Sequence, residues 1–292
     1  MPSVPTTAPP STLSQALETR GFDMGCARWT PLAGGRTNKS WRVDLPTQSV
    51  VVKVFGPSGI NPMFPNDPNA EIAVLRHLEG MRLAPAYLDD FLSRDGHCVV
   101  YTHLSGQTWQ VGSSQIAQLL CRVHSVPVPE NLREAPDGSH AIERQTERIL
   151  IHCPRSRVQH IWARRPKKVI PPRGRICFLH GDPVPGNIVG EQGAWRLIDW
   201  QCPAVGDPCE DIAIFLSPAM QLAYRGTILR EKERQAFLAT YADQDIVQRY
   251  MSLAAWYHWR MAAYCLWLES RGNPSARLAA DAEIAAIAST EC

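Results

Sequence analysis

The sequence predicts an α+β fold of two unequal lobes: a small N-lobe built on an antiparallel sheet and a larger, mainly helical C-lobe. Two observations lead to this prediction. Short β-branched and alternating segments dominate the chain before residue 106, and amphipathic helical periodicity dominates after it. Two short strands are set inside the helical part. We therefore expect a disordered leader over 1–12, an N-lobe over 13–105 and a C-lobe over 106–292.

Composition limits the classes of function. The 292 residues carry a net charge of +2 and are 45% hydrophobic and 20% charged, values typical of a globular protein. Nucleic-acid-binding proteins usually carry a marked basic excess, and a membrane span needs ~20 apolar residues. The sequence has neither a marked basic excess nor an apolar run of that length. Nine cysteines without a CxxC pair indicate free thiols in a reducing compartment, so we expect a cytoplasmic protein with neither a nucleic-acid nor a membrane partner.

The predicted N-lobe elements follow in order. "STLSQALETRGF" predicts a helix that Gly21 ends, and "WTPLAGGRTNKSWRVDL" predicts two strands joined by a turn. The β-branched strand "SVVVKVF" holds one charge, Lys53, which alternation places on the same side as Val51 and Phe55. After a turn-rich loop, "NAEIAVLRHLEGM" predicts a helix with Glu71 in its first turn. The strand "HCVVYTHL" ends the lobe.

The predicted C-lobe begins near Gly106, a hinge candidate. "SSQIAQLLCRVHSV" predicts an amphipathic helix, and two short strands, "ICFLH" and "WRLIDW", come later. Residues 141–175 hold ten Lys or Arg and two acidic residues, which is typical of a solvated helix face; a patch that recruits an anionic acceptor is the alternative. From about Asp211 the sequence predicts aromatic-rich helices.

Five polar residues on these elements suit phosphoryl transfer, which depends on positioning and charge neutralisation. Lys53 and Glu71 lie in the N-lobe. Asp182 and Asn187 lie in a Pro- and Gly-rich loop after a strand, and Asp199 ends the next strand. The chemistry needs a carboxylate to accept the proton of the attacking hydroxyl, oxygen ligands for magnesium, and a lysine that a glutamate holds in place.

The turn between the first two strands is a candidate phosphate-contacting element. Gly34 and Gly35 have no Cβ, so a hairpin backbone there can approach phosphates closely. The turn lacks a full G-x-G-x-x-G pattern. Lys39 and Arg42, on the following strand, are alternatives to Lys53 for binding phosphate.

One dense block of motif carries a family resemblance. H-x-D-x4-N, here His180, Asp182 and Asn187, is followed by "LIDWQCPAVGDPCEDIA". This block resembles the aminoglycoside phosphotransferase and choline kinase family, which has the protein-kinase-like fold. The resemblance covers roughly residues 25–270 by order of elements. It implies transfer of the γ-phosphate of ATP, with Mg²⁺, to a hydroxyl of a small molecule.

The resemblance also implies a role for each of the five polar residues. Asp182 matches the catalytic base of the family. Asn187 and Asp199 match its magnesium ligands. Lys53 matches the lysine that binds the phosphates, and Glu71 matches the glutamate paired with it.

Further roles follow from the same resemblance. The segment "VYTHL" resembles the adenine-contacting hinge, and the backbone of His103 and Leu104 is the candidate contact. His180 resembles a brace for the catalytic loop, while Asp207 and Asp211 resemble scaffold carboxylates that hold loop amides and cap a helix.

The acceptor and two alternative functions stay open at this stage. Choline, ethanolamine, thiamine, homoserine and an amino sugar are candidate acceptors. Five aromatic residues lie close together in one predicted helix: Trp256, Tyr257, Trp259, Tyr264 and Trp267. The steps of three and eight between the tryptophans are typical of core packing; contact with the acceptor is the alternative, because in choline-kinase-like relatives the C-terminal helices help to form the acceptor site. The alternatives are a degenerate kinase fold that senses a nucleotide or metabolite, and a metal-dependent hydrolase with His180 and Asp182 as ligands.

Overall fold

The computed structural model describes residues 9, 11–32, 37–56, 61–174 and 176–290. Within these residues, no helix is both long enough and apolar enough to cross a membrane. The strands are β1 Arg28–Pro31, β2 Lys39–Asp44, β3 Ser49–Phe55, β4 Tyr87–Ser93, β5 Gly96–Thr102, β6 Gln107–Thr108, β7 Arg133–Glu134, β8 Cys177–Leu179, β9 Ile188–Gly190, β10 Arg196–Leu197 and β11 Ala204–Gly206. The helices are α1 Ser11–Thr19, α2 Pro68–His77, α3 Ser113–His124, α4 Ser139–Leu150, α5 Arg155–Trp162, α6 Cys209–Leu216, α7 Pro218–Arg225, α8 Glu231–Thr240, α9 Gln244–Ser270 and α10 Ala276–Thr290.

The N-terminal part is a five-stranded antiparallel sheet in the order β1-β2-β3-β5-β4. The predicted helix α1 and strands β1, β2, β3 and β5 are confirmed. Strand β4 was not foreseen from the sequence. Helix α1 begins at Ser11, two residues before the predicted lobe boundary, and packs Leu13 and Leu17 on the sheet.

Strand β3 separates two apolar layers because its side chains alternate. Val50, Val52 and Val54 face the cluster that includes α1, whereas Val51 and Phe55 belong to the large core shared with the helices. Lys53 Nζ lies 4.5 Å from the centroid of the Phe55 ring, so the predicted orientation of Lys53 is confirmed.

Gly106 lies where the chain leaves the first sheet. Its φ is +117°, and a Cβ built on it would lie 2.4 Å from the Gly190 carbonyl oxygen, so only glycine fits. The next residues form β6, which pairs with β9 in a small sheet of order β10-β9-β6. A second small sheet has the order β7-β11-β8.

The C-terminal part is helical around α9. Residues of α9 from Ile246 to Trp267 are largely buried, and the helix packs against α4, α6 and α10. Apolar residues line all sides of its second half, as expected for a helix at the centre of a lobe. The predicted helix α3 is confirmed, and so are the helices predicted from about Asp211, the first of which begins slightly earlier, at Cys209.

Candidate active site

Lys53 lies between two carboxylates at the centre of the molecule. Its Nζ is 2.5 Å from Glu71 Oε2 and 2.5 Å from Asp199 Oδ1. Glu71 is in the first turn of α2, which begins with Asp67 as a side-chain N-cap and Pro68 in its first turn. The lysine, the glutamate and the aspartate therefore come together from a strand, a helix and a loop.

Both Lys53 and Glu71 are buried, with 3% and 1% of their surface exposed. Burial by itself lowers the pKa of Lys53, but the negative charges of Asp199 and Glu71 outweigh it and raise the pKa above its ordinary value. The lysine is therefore charged at neutral pH and is held in a fixed position for an anionic ligand.

The loop after β8 is braced by His180. The backbone N–H of Asp182 donates to His180 Nδ1 at 3.1 Å, so the ring proton is on Nε2, which donates to the Ile198 carbonyl at 3.0 Å. His180 is fully buried, and burial lowers its pKa, favouring the neutral ring that this pattern needs. Because both ring nitrogens are engaged, His180 has no lone pair for a metal.

Asn187 is tied to Asp182 by its side-chain amide. Its Nδ2 donates to the Asp182 carbonyl at 2.9 Å and approaches Asp182 Oδ2 at 3.3 Å. A single 3₁₀ turn, Pro185–Asn187, closes the loop between them. The irregular backbone thus lets an aspartate and an asparagine five residues apart face one volume.

Asp211, in the first turn of α6, binds the backbone of the loop that holds His180 and Asp182. Its carboxylate accepts from the backbone N–H groups of His180 (2.8 Å) and Gly181 (2.9 Å) and from His124 Nε2 (3.1 Å). Burial raises the pKa of Asp211, but these hydrogen bonds and the neighbouring histidines more than offset that effect, so its pKa lies below the ordinary value.

Asp211→Asn is expected to lower the free energy of unfolding by about 3 kcal/mol at pH 7, because a buried anion that accepts three hydrogen bonds is replaced by an amide. A depressed native pKa gives stability that is present above the unfolded pKa of about 4 and is lost as the pH falls through the native value. Urea unfolding from pH 7 to pH 3 should therefore show a shrinking difference between wild type and variant. A constant difference would contradict this account.

Asp207 has a different scaffold role. Its Oδ1 accepts from the Cys209 N–H at 3.0 Å, and its Oδ2 pairs with Arg249 Nε at 2.5 Å. Arg249 also binds Asp137 at 2.6 Å. Asp207 therefore links the start of α6 to α9, away from the carboxylates around Lys53.

Asp199 follows β10 in an unusual backbone conformation. Its φ is +64°, in the left-handed region that costs a non-glycine residue of order 1 kcal/mol. Asp182, Asn187 and Asp199 all line one cleft. Their carboxylate and amide oxygens are the hard donors that Mg²⁺ prefers. Because Mg²⁺ usually completes its shell with water and substrate phosphates, this donor set fits the ion.

The cleft has a volume of about 420 Å³. It runs from Leu32, which follows β1, and the strand residues Ser40 and Tyr101 to the loop that holds Asp182. The residues that complete its lining are Thr37, Asn38, Lys53, Asn61, Phe64, Thr108, Gly186, Asn187, Ile198, Asp199, Gln201, Met220, Ala223, Tyr224 and Tyr264.

The candidate hinge residues follow Tyr101 but do not themselves line the cleft. The His103 N–H already donates to the Ser49 carbonyl at 2.9 Å, so this amide is not available to a base. Within the described part of the chain, the Leu104 N–H has no hydrogen-bond partner.

The other candidate phosphate contacts lie elsewhere. Gly34 and Gly35 fall outside the described residues. Arg42 is paired with Asp44 at 2.6 Å, and neither Arg42 nor the exposed Lys39 lines the cleft. Lys53 is therefore the cation that the described structure brings to the carboxylates.

Trp256 and Trp259 are core residues. Both are buried, and their indole N–H groups donate to the carbonyls of Lys168 and Ile161, each at 2.8 Å. Neither lines the cleft, which favours core packing for these two residues, although Trp256 also lines a second cavity. Of the aromatic residues in this stretch of α9, Tyr264 reaches the cleft, one helical turn and more beyond Trp259.

The described residues of the basic segment, 141–174, include α5 and most of α4, and both helices pack against α9. Arg165 pairs with Glu143, and Arg157 pairs with Glu269 at 3.2 Å. Lys167 and Lys168 are exposed and line a second, open cavity of about 660 Å³ with α9 and α10. Residues 141–174 are thus mainly a solvated face, and none of these described residues lines the first cleft.

Asn38, Asn61, Phe64 and Gln201 are among the cleft residues that the sequence did not indicate, whereas Tyr264 belongs to the aromatic stretch for which contact with the acceptor was an alternative. The position of Gln201 directly after "IDW" was a usable signal, because Asp199 had already been singled out. Asn61 and Phe64 lie in the loop between β3 and α2, for which the sequence predicts turns but does not indicate contact with the C-lobe.

The comparisons with known proteins agree with this geometry. The model of the family described as "Phosphotransferase enzyme family" matches residues 28–256. No curated protein matches the sequence. Solved structures also resemble the chain over nearly its full length, and three of them are described next.

Choline kinase from Cryptosporidium parvum Iowa II has a TM-score of 0.68 at 13% identity, covering 96% of this chain and 94% of its own. Spectinomycin phosphotransferase, solved with ADP and spectinomycin, has a TM-score of 0.62 at 15% identity, covering 99% of both chains. A thermostable mutant of an aminoglycoside phosphotransferase, solved with ADP and hygromycin B, has a TM-score of 0.68 at 14% identity, covering 96% and 99%. These similarities confirm the predicted bilobal, protein-kinase-like α+β fold.

Proposed function

This chain belongs to the phosphotransferase enzyme family, and we propose that it transfers the γ-phosphate of ATP, with Mg²⁺, to a hydroxyl of a small molecule. Choline, ethanolamine, thiamine, homoserine and an amino sugar are the acceptors to test. The single observation that carries the proposal is the position of Lys53 between Glu71 and Asp199, in the cleft that Asp182 and Asn187 also line.

Asp182 would act as the base in this reaction. The acceptor hydroxyl gives its proton to the Asp182 carboxylate, its oxygen forms a bond to the γ-phosphorus, and the bond from that phosphorus to the β,γ-bridging oxygen breaks, releasing ADP. The backbone hydrogen bond to His180 and the amide of Asn187 hold Asp182 in place during this step.

Lys53 would bind the phosphates, and Glu71 would keep its side chain in one rotamer. Asn187 and Asp199 would hold Mg²⁺, which supplies positive charge to the phosphate oxygens when bound. The sheet of residues 13–105 would carry the nucleotide, with the Leu104 amide as a base contact, and 106–292 would carry the catalytic loop and the acceptor. A cytoplasmic location fits the need for ATP and the eight free cysteines of the described residues.

The two alternative functions receive less support. A degenerate sensor is expected to have lost one of the reactive groups, whereas Lys53, Asp182, Asn187 and Asp199 are all present in one cleft. A hydrolase with His180 as a metal ligand conflicts with the two hydrogen bonds that occupy its ring.

A coupled ADP-release assay with ATP and Mg²⁺ tests the proposal. The acceptor panel is choline, ethanolamine, thiamine, homoserine, glucosamine and kanamycin, with phosphorylated product identified by mass spectrometry. We expect at least one acceptor to raise ADP release clearly above the rate without acceptor. ADP release that no acceptor raises, together with no binding of a non-hydrolysable ATP analogue, would overturn the assignment.

A further inference from the structure

The segment of residues 61–67 in the N-terminal half, here called the clasp segment, contacts the C-terminal half beside the cleft. Asn61 Nδ2 donates to the Tyr264 hydroxyl at 3.0 Å, across 203 positions of sequence. The Phe64 ring meets the Tyr264 ring edge-on, with centroids 5.2 Å apart. Tyr264 in turn stacks on Trp267 in α9, which fixes the plane of its ring.

The clasp segment is held in shape by its own hydrogen bonds. Asn61 Oδ1 accepts from the backbone N–H groups of Met63 and Phe64, each at 3.0 Å, which forms a tight turn. Phe64 is 9% exposed and Tyr264 is 4% exposed, so both rings are fixed in place. The turn thus presents the Phe64 ring to the cleft as a rigid surface.

A second set of contacts ties the other end of the clasp segment to the residues next to Asp199. Asn38 and Asn66 exchange two side-chain amide hydrogen bonds, of 2.7 and 2.9 Å. Asn38 Nδ2 also donates to Gln201 Oε1 at 2.7 Å, and the Asp67 N–H donates to the Gln201 carbonyl at 3.1 Å. The segment therefore spans the two halves on the side where helix residues line the cleft.

Among the residues that the structure describes, that side of the cleft is aromatic and neutral apart from the reacting groups. Phe64, Tyr224 and Tyr264 line it, and Tyr224 packs so closely on the catalytic loop that a Cβ on Gly186 would lie 2.5 Å from its ring. The charged residues among the lining are Asp182, Asp199 and Lys53.

The two carboxylates of the cleft, Asp182 and Asp199, already have roles in the proposed reaction. The described lining offers no further carboxylate to pair the several ammonium groups of a polycationic acceptor, and each unpaired charge would be costly to bury. A single positive charge can instead be stabilised by the aromatic faces.

We propose that the clasp segment is an acceptor-specificity element: Phe64 and Tyr264 form the wall on which the apolar part of the acceptor packs, and the acceptor is a compact alcohol with at most one positive charge. This inference rests on the proposed phosphotransferase activity. It assigns a part of the acceptor site to the N-terminal half of the chain.

Steady-state kinetics of Tyr264→Phe and Phe64→Leu test the proposal with the best acceptor of the panel. Tyr264→Phe removes the hydroxyl that Asn61 binds and should raise the acceptor KM about threefold to tenfold, while the KM for ATP stays within about twofold. Phe64→Leu keeps an apolar side chain but loses the ring, and should raise the acceptor KM by at least about threefold. If Phe64 and Tyr264 had a purely structural role, the KM for the acceptor and the KM for ATP would change together.

Tyr87→Phe is the matched control. It also removes the hydroxyl of a partly buried tyrosine, and that hydroxyl accepts from Arg76 at 2.7 Å and donates to Asp90. Tyr87 lies in β4, however, and does not line the cleft. Neither KM should change. The substrate class is tested by kanamycin, whose wild-type kcat/KM should be at least about tenfold below that of the best compact alcohol.

The failures of the two proposals are distinguishable. Transfer by the wild type with an acceptor KM that both cleft variants leave unchanged would overturn the role of the clasp segment and leave the phosphotransferase intact. Kanamycin as the best acceptor would overturn the substrate class. If the wild type transfers phosphate to none of the panel and binds no non-hydrolysable ATP analogue, the proposed function is wrong and this inference falls with it.

Discussion

Asp182→Asn is expected to lower kcat about a thousandfold and to leave nucleotide affinity within about twofold. Loss of a general base typically costs 10²–10⁴-fold, and the amide keeps the size and the hydrogen-bonding carbonyl of the side chain. ADP release gives the rate, and calorimetric titration with a non-hydrolysable ATP analogue gives the affinity. The large change in rate at constant affinity separates chemistry from binding.

Asp281→Asn is the control for that variant, since Asp281 is an exposed aspartate on α10. It should retain wild-type rate and affinity. Normal turnover by Asp182→Asn would show that another group accepts the proton. Loss of nucleotide binding in the same variant would show that Asp182 acts mainly by positioning the nucleotide.

Lys53→Met should have two effects of similar importance. The rate should fall at least about a hundredfold, because a fixed positive charge at the phosphates is lost. The free energy of unfolding should also fall by about 3–5 kcal/mol, because Glu71, 1% exposed, is left without its partner at 2.5 Å. Activity is measured by ADP release and stability by urea unfolding.

The double variant Lys53→Met/Glu71→Leu separates the two effects. It replaces both members of the buried pair by apolar side chains, so most of the lost stability should return. Activity should stay as low as in the single variant. If the double variant were no more stable than Lys53→Met, the destabilisation would have to come from lost packing around Lys53, and the account of an unpaired Glu71 would be wrong.

Local patterns in the sequence were sufficient for much of the fold and part of the site. Alternation in β3 placed Lys53 on the core side, and the first turn of α2 placed Glu71, because each depends only on the period of its own element. The order of elements then brought the two together. Strand β4 was missed because its polar residues Asp89 and Asp90 interrupt the pattern of a buried strand.

The acceptor side of the cleft was not accessible to the same reasoning. Helical periodicity shows that residues of α9 share a face, but not which neighbour that face meets. Trp259 therefore lies in the core and Tyr264 lines the cleft, although both are aromatic residues on one helix. Asn61 and Gln201 contact residues far away in the sequence, and a turn-rich loop gives no periodic signal that would indicate such contacts.

The ties between the halves at Asn38, Asn66 and Gln201 are made by carboxamides, which neither gain nor lose a proton in the biological range. Ion pairs at this position would loosen as salt screened them or as acid neutralised them. These carboxamide ties are therefore insensitive to ionic strength and to cellular acidification, whereas the Lys53–Asp199 pair, which also joins the two halves, is charged on both sides. The two halves are thus held together both by neutral hydrogen bonds that do not depend on pH or salt and by a charged pair at the reaction centre.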